Sequence, residues 1–276
     1  DPLDAPIGPL ERGTALHRAL ELYKRQFPGA PPDDAVMQLM ALADSVTRPD
    51  SVAPALATHL HLGSIDDIGR LRALCLAERI EVIVHAAARV GLQPSLADPK
   101  GFYQTNIMGL VNVCEVAREL GVHKLVAVSS NAAYHKGDGH KLVETDPPFS
   151  VTHANPAAHY GTSKMAGEAI GMAYAEFHGL DFLALRVTAV YGFGMRNALH
   201  LKPLVENAVL GLPTRFATGG SMKRDYTHVL DCARAVVLAI EAPRLAAGCQ
   251  RVLNVAAGRL CTPSDIADIV RREMPG

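Results

Sequence analysis

Charge of either sign is missing in excess. The 276 residues carry 27 Lys and Arg against 28 Asp and Glu, a net charge of −1, with 12 His besides. No basic surplus points to nucleic acid, and no polybasic run points to an anionic membrane. Long apolar runs are missing too: none approaches the roughly 20 residues that a spanning helix needs, and no secretory leader is read ahead of the first element. Cysteine is sparse and unpatterned. Cys75, Cys114, Cys232, Cys249 and Cys261 are odd in number, no Cys-x-x-Cys occurs, and each lies in or beside an apolar run, where cysteine behaves as a small hydrophobe. A disulfide scaffold and a catalytic cysteine are disfavoured, no metal set is read, and a reduced, cytoplasmic setting is expected.

Hydrophobic residues make up 49% of the chain, enough for one large α/β domain with a small appended lobe. Residues 14–27 read as a helix with Leu16, Leu20, Tyr23 and Phe27 on one face, and residues 35–43 as a short strand ending at Asp44. From residue 60 strand and helix alternate. Strands are expected at 60–62, 81–87, 124–130 and 181–187. Helices are expected at 66–79 (Ile68, Leu71, Leu74 and Leu76 inward), 102–120 and 158–178. Near-continuous apolar strands indicate a parallel sheet covered on both faces, so the expected fold is a Rossmann-like doubly wound α/β sheet, with ligands beyond the carboxyl ends of its strands. Residues 1–194 are assigned to this dinucleotide-binding part. Residues 195–276 form a substrate-side lobe with a helix at 201–210, a segment Arg224-Asp-Tyr-Thr-His-Val, a helix at 231–241 with Asp231 as its cap, a strand at 251–255 and a helix at 263–273.

The chemistry centres on Tyr160-Gly-Thr-Ser-Lys164. Tyr and Lys four apart share one helix face. A phenol titrates near 10, and a neighbouring ammonium favours its ionised form, so such a Tyr can exchange a proton with an alcohol or carbonyl near neutral pH. The spacing alone equally describes an exposed Tyr beside an unrelated Lys. Ser129-Ser130, closing a buried strand about 30 residues earlier, adds a hydroxyl at the sheet edge where this architecture gathers reactive groups.

Eight stretches, in order over roughly residues 60–270, resemble the NAD-dependent epimerase/dehydratase branch of the extended short-chain dehydrogenases. They are Val82-Ile-Val-His-Ala-Ala-Ala, Ser95-Leu-Ala-Asp-Pro, Asn106-Ile-Met-Gly109, Leu125-Val-Ala-Val-Ser-Ser, Pro156-Ala-Ala-His-Tyr-Gly-Thr-Ser-Lys, Leu185-Arg-Val-Thr-Ala-Val-Tyr-Gly, Arg224-Asp-Tyr-Thr-His-Val-Leu-Asp and Leu253-Asn-Val-Ala-Ala-Gly. The resemblance implies an NAD-dependent oxidoreductase or epimerase of a sugar, sugar acid or sugar nucleotide, with NADP still open as the cofactor. Ser130 and Tyr160 would hold the reacting oxygen, Tyr160 being the acid/base. Lys164 would tune Tyr160 and bind the nicotinamide ribose. Ala86 and Ala87 would lie against the cofactor, Asn106 would support the cofactor-side strands, and Asn131, Arg196 and Arg224 would face the substrate. A homodimer through the helices at 102–120 and 158–178 is also implied.

The chain departs from the family pattern in places. The Gly-x-x-Gly-x-x-Gly turn is lacking; the nearest match, Ala5-Pro-Ile-Gly8-Pro-Leu-Glu11, keeps only Gly8 and puts a carboxylate where a phosphate would sit. Ser64, followed by Ile65, stands where relatives carry Asp beside the adenine. Asp44 is either the carboxylate that binds the ribose hydroxyls, favouring NAD, or an ordinary loop residue. The expected causes are a chain incomplete at its ends (it opens on Asp1), a divergent cofactor half, or a non-catalytic, regulatory relative with a degenerate cofactor site. Asn131-Ala132 in place of Asp-Glu disfavours dehydration. Ala189, where sugar-nucleotide enzymes often carry Asn, weakens the case for a nucleotide-diphosphate substrate.

Overall fold

The structure, a computed structural model, describes residues 63–135, 141–192, 195, 199–216, 220 and 222–273. Gly8, Asp44 and Arg196, with the elements expected at 14–27, 35–43 and 60–62, lie outside the described residues. The described residues fall into two compact units, 63–186 with Arg234–Asn254, and Val187–Ala233 with 255–273.

The first unit is built on a four-stranded sheet. β1 (Val82–His85), β2 (Lys124–Ser130), β3 (Phe182–Val187) and β6 (Val252–Val255) lie side by side in that order. β1 and β2 run parallel, with Val82 opposite Lys124 and His85 opposite Ala127. β6 runs parallel to β3, because the bonds from Ala184 N to Arg251 O (2.8 Å) and from Thr188 N to Val255 O (3.2 Å) advance four residues on both strands. β2 is buried at six of its seven positions, the signature of a strand covered on both faces. Helix α1 (Ile68–Ala77) starts on Asp67, whose carboxylate accepts from Arg70 N at 3.0 Å. Cys75 is its buried residue, and Leu76, expected inward, is 64% exposed. The short 68–77 helix turns its apolar side through Leu71 and Cys75, which leaves position 76 facing solvent.

The helix expected over 102–120 is three pieces end to end. After α2 (Leu92–Ala97), α3 (Pro99–Tyr103) begins at Asp98, which accepts from Gly101 N, with Pro99 in the first turn. The Asp98-Pro99 pair is thus a helix start. A π-turn follows at Gln104–Met108, and α4 (Gly109–Leu120) ends on Gly121 with φ +67°, a left-handed cap that glycine adopts without penalty. α4 and the long α5 (Ala158–His178) both pack on the sheet, and Leu125, Phe182, Val116 and Cys114 at the centre have essentially no exposure. Burying each such Leu or Phe stabilises the fold by about 1.5–3 kcal/mol.

Helix α7 (Val229–Glu241) begins two residues before Asp231. Asp231 therefore lies inside the first turn and is not the cap; the His228 ring nitrogen accepts from Leu230 N at 3.4 Å instead. At the other end of α7, the buried Lys124 ammonium donates to the carbonyls of Ala239 (3.0 Å), Ile240 (3.4 Å) and Ala242. Asp181 lies 3.6 Å from the same ammonium and 3.2 Å from Arg251. A cation on orphan C-terminal carbonyls complements the helix dipole.

The second unit carries a three-stranded sheet: β4 (Ala189–Tyr191) parallel to β5 (Arg224–His228), which is antiparallel to β7 (Leu260–Cys261). Around it lie α6 (Leu201–Val209) and α8 (Pro263–Glu273).

Two glycines of α5 should respond in opposite ways to alanine. Helix propensity alone favours Ala by about 1 kcal/mol at either position. A Cβ at Gly171 would overlap the Phe182 ring, whereas one at Gly167 meets only the end of the Leu110 side chain at 3.0 Å. Gly171→Ala is expected to lower stability by about 1–3 kcal/mol and Gly167→Ala to leave it within about 1 kcal/mol of wild type, as read from urea unfolding midpoints.

Candidate active site

Three turns of α5 meet three consecutive residues of β2. The Tyr160 hydroxyl faces the Ser130 side chain closely enough for the Ser130 hydroxyl to favour the ionised phenol. Lys164 Nζ donates to Val128 O at 2.8 Å. Glu168 Oε1 accepts from Ser129 Oγ at 2.5 Å. The contacts follow from the sequence: residues four apart on a helix stand in one row, and β2 ends at Ser130, where its last hydroxyl faces that row. Ser130 Oγ also accepts from Ala132 N at 3.1 Å and caps the short 3-10 turn Asn131–Ala133. Asn131 itself is exposed, with its Oδ1 3.4 Å from Ser130 Oγ.

The start of α5 has no side-chain cap, and Ala158 takes φ +51°. Asn155 holds this junction. Its Oδ1 accepts from Ala157 N at 2.7 Å, and its Nδ2 donates to Ala132 O at 2.9 Å and Tyr134 O at 3.3 Å. One amide thus ties the turn after Ser130 to the turn before Tyr160. Gly161 is required beside it, because a Cβ there would overlap Asn155 and Ala132 O.

Asn106 does the same for the segment after β1. Its Oδ1 accepts from Arg89 N at 2.8 Å, and its Nδ2 donates to Arg89 O at 2.9 Å and Ser163 Oγ at 2.9 Å. Ser163 Oγ in turn donates to the Tyr160 backbone carbonyl at 2.7 Å. The segment carrying Ala86 and Ala87 is therefore pinned to α5 from within the π-turn. Arg89 adds an ion pair to Asp98 at 2.5 Å and lies 4.8 Å from the centre of the Phe102 ring. Ser64 is exposed, its hydroxyl accepting from Asp66 N at 3.1 Å, while Ile65 packs against the core cluster with its carbonyl on Asn112.

Burial governs the titrating groups. It pushes the Tyr160 phenol above its ordinary value, and the neighbouring Ser130 hydroxyl works the other way. An ammonium-lowered phenol was expected from the Tyr-Lys spacing; the ammonium is turned onto Val128 O, and burial sets the direction. Burial brings Lys164 down to about 8, against the pull of Glu168. His85, at the carboxyl end of β1, is lowered to about 3 by burial and then by the Lys164 charge, so it is neutral throughout the physiological range.

Arg224 lies on β5 of the second unit, where its Nε and the Tyr226 hydroxyl are buried without a hydrogen-bond partner among the described residues. Tyr191 stacks edge-on against both Tyr226 and His228, and Ala189 sits opposite Tyr226 in the ladder. Sequence reasoning passed over His85, Asn155 and Glu168. Only His85 carried a signal, as the one polar residue inside an apolar strand.

His85 couples stability to pH. An unfolded His takes up a proton below about 6.5 while the folded one does not, so its contribution is complete above that value and is lost as pH falls. Between pH 7 and 5 this loss amounts to about 2 kcal/mol. Urea unfolding at the two values should show that His85→Asn removes most of the difference; an unchanged difference would place His85 in contact with water.

The chain matches the NAD dependent epimerase/dehydratase family over residues 24–256. It is 29% identical to a UDP-glucose 4-epimerase of Lacticaseibacillus casei over 229 residues, 75% of this chain and 67% of that one. The crystal structure of Thermus thermophilus UDP-glucose 4-epimerase in complex with NAD superposes with a TM-score of 0.66 at 25% identity, covering 77% of this chain and 68% of that one. The UDP-glucose 4-epimerase of Thermotoga maritima with UDP-glucose gives 0.67 at 26%, over 78% and 68%. The chain spans about half the length of the first curated relatives it matches. No helix among the described residues is long and apolar enough to cross a membrane. With a parallel sheet flanked by helices, and with the family match covering most of its length, this chain belongs to the NAD-dependent epimerase/dehydratase family.

Proposed function

We propose that the protein is an NAD-dependent epimerase of a nucleotide-linked sugar, with Tyr160 as its acid/base. The observation that carries this reading is the Tyr160 phenol facing the Ser130 hydroxyl at the carboxyl end of β2, with Lys164 one helical turn away and its ammonium on Val128 O. The residues suit the cofactor. Ala86 and Ala87 put no side chain larger than a methyl at the end of β1, and Lys164 is only half-buried and so open to a ribose hydroxyl. NAD, when bound, would supply the chemistry of hydride acceptance and return.

The side chains have distinct tasks. Ser130 donates to the substrate oxygen. Tyr160 takes the hydroxyl proton as the C–H bond breaks and gives it back when the carbonyl is reduced. Lys164, one helical turn from Tyr160 with its ammonium on Val128 O, offers a donor to the nicotinamide ribose. Asn106 and Asn155 fix the segments on either side. Re-reduction from the other face inverts the carbon; release of the ketone instead would make the protein a dehydrogenase. The nucleotide-linked substrate rests on the relatives that act on such sugars. A cytoplasmic homodimer belongs to the same proposal: all five cysteines are free, and Met172 and Phe177 on α5 are exposed.

Calorimetric titration should show micromolar affinity for NAD. Tyr160→Phe should keep that affinity and lose about 10²–10⁴-fold in turnover of UDP-sugars. Surviving turnover would overturn the acid/base role, and a protein that binds neither NAD nor NADP would be a non-catalytic relative. The Lys164 ammonium is present below about pH 8 and lost above it, so kcat should decline as pH rises through that value; a flat alkaline profile would remove Lys164 from the chemistry.

A further inference from the structure

Of the three α5 side chains that meet β2, Glu168 has no part in the chemistry above. It is 5% exposed, and a buried carboxylate persists only when fully paired. Here its oxygens accept from Ser129 Oγ at 2.5 Å, from Arg186 Nε at 3.0 and 3.1 Å, and from Arg186 Nη2 at 2.7 Å. Arg186, on β3, is itself held over the Tyr134 ring at 4.2 Å, and Tyr134 donates to Asn254 Oδ1 at 2.8 Å. The carboxylate thus joins α5, β2 and β3 one turn beyond Lys164 and one residue before Ser130. Among the described residues, the groups that act on the Lys164 ammonium are Glu168 on its own helix, neutral His85 from β1 and the Val128 carbonyl from β2, with Arg186 of β3 facing Glu168.

We propose that Glu168 is a positioning residue. Gripped by Arg186 and Ser129, it fixes the turn of α5 that carries Lys164 against the strand end that carries Ser130, and it supplies the counter-charge to the ammonium. The inference rests on the Tyr160–Lys164 reading of the site.

Its test needs neither cofactor nor substrate. Acetylation of Lys164 by trace acetic anhydride across a pH series, followed by peptide mass spectrometry, reads the fraction of free amine in the protein alone. In Glu168→Gln the midpoint should fall by about one pH unit, because the counter-charge is gone. In Arg186→Gln it should rise by a similar amount, because the carboxylate is freed to act on Lys164. A merely structural role would open the site to water in both variants and raise both midpoints toward the ordinary lysine value; that result, or no movement in Glu168→Gln, overturns the proposal. Should Glu168→Gln not fold, Ser129→Ala keeps every charge and removes only the strand grip. Amide hydrogen exchange at Ala132 should then quicken at least about fivefold, and an unchanged rate would overturn the positioning role. Absence of turnover in the wild-type protein would count against the proposed function while leaving these two readouts to decide the role of Glu168.

Discussion

The docking of α5 on the end of β2 is the constraint on which the site depends. Tyr160 can share a proton with an oxygen at Ser130 only if a 21-residue helix is held in one register against a strand seven residues long. Packing supplies part of that precision. Gly171 lets the helix backbone approach the Phe182 ring, and Gly161 lets it approach Asn155. Hydrogen bonds supply the rest: Lys164 on Val128 O, Glu168 on Ser129, and Asn155 across the two turns that flank the reactive pair. None of these contacts is catalytic. Each removes a freedom the reacting groups would otherwise have, and orientation is where much of an enzyme's rate enhancement arises.

The same burial that orders the site also sets its electrostatics. Water withdrawn from Tyr160 disfavours the phenolate, and water withdrawn from Lys164 disfavours the ammonium. The two effects bring the titrations of base and counter-ion into conflict, which an anionic neighbour for the lysine partly relieves. His85, at the carboxyl end of β1, remains neutral and adds no charge to the balance. Under the proposed function, a substrate hydroxyl would meet one donor, one proton acceptor and one cation, all carried by two adjacent elements.

Much of this was legible in the sequence where apolar period and length agree. β2, α5 and α8 have the bounds read from their residues: β2 is a near-continuous apolar run, and α5 and α8 are helices of 21 and 11 residues. The π-turn at Gln104–Met108 was not legible: the apolar residues continue through it, and the extra residue per turn leaves no mark on composition. The short strands β4 and β7, three and two residues long, fall below any periodic signal. Lys124 read as the edge of a strand, and only the folded chain shows its ammonium on the end of α7. The pairing of Glu168 with Arg186 joins residues 18 apart on a helix and a strand, a contact set by tertiary packing and not by spacing. Tyr160, Lys164 and Ser130 were singled out because their types and order are chemically unusual, whereas Asn155 resembles any loop asparagine.

Transient reduction of the cofactor addresses the central claim most directly. When the NAD-loaded protein is mixed with a UDP-hexose in a stopped-flow instrument, the near-ultraviolet absorbance of reduced nicotinamide should rise and then decay as the keto intermediate is reduced again. The same mixing with Tyr160→Phe should give no rise despite full cofactor occupancy. A rise of equal rate and size in that variant would contradict the account, because the substrate proton would then be leaving through some group other than the phenol at the end of β2.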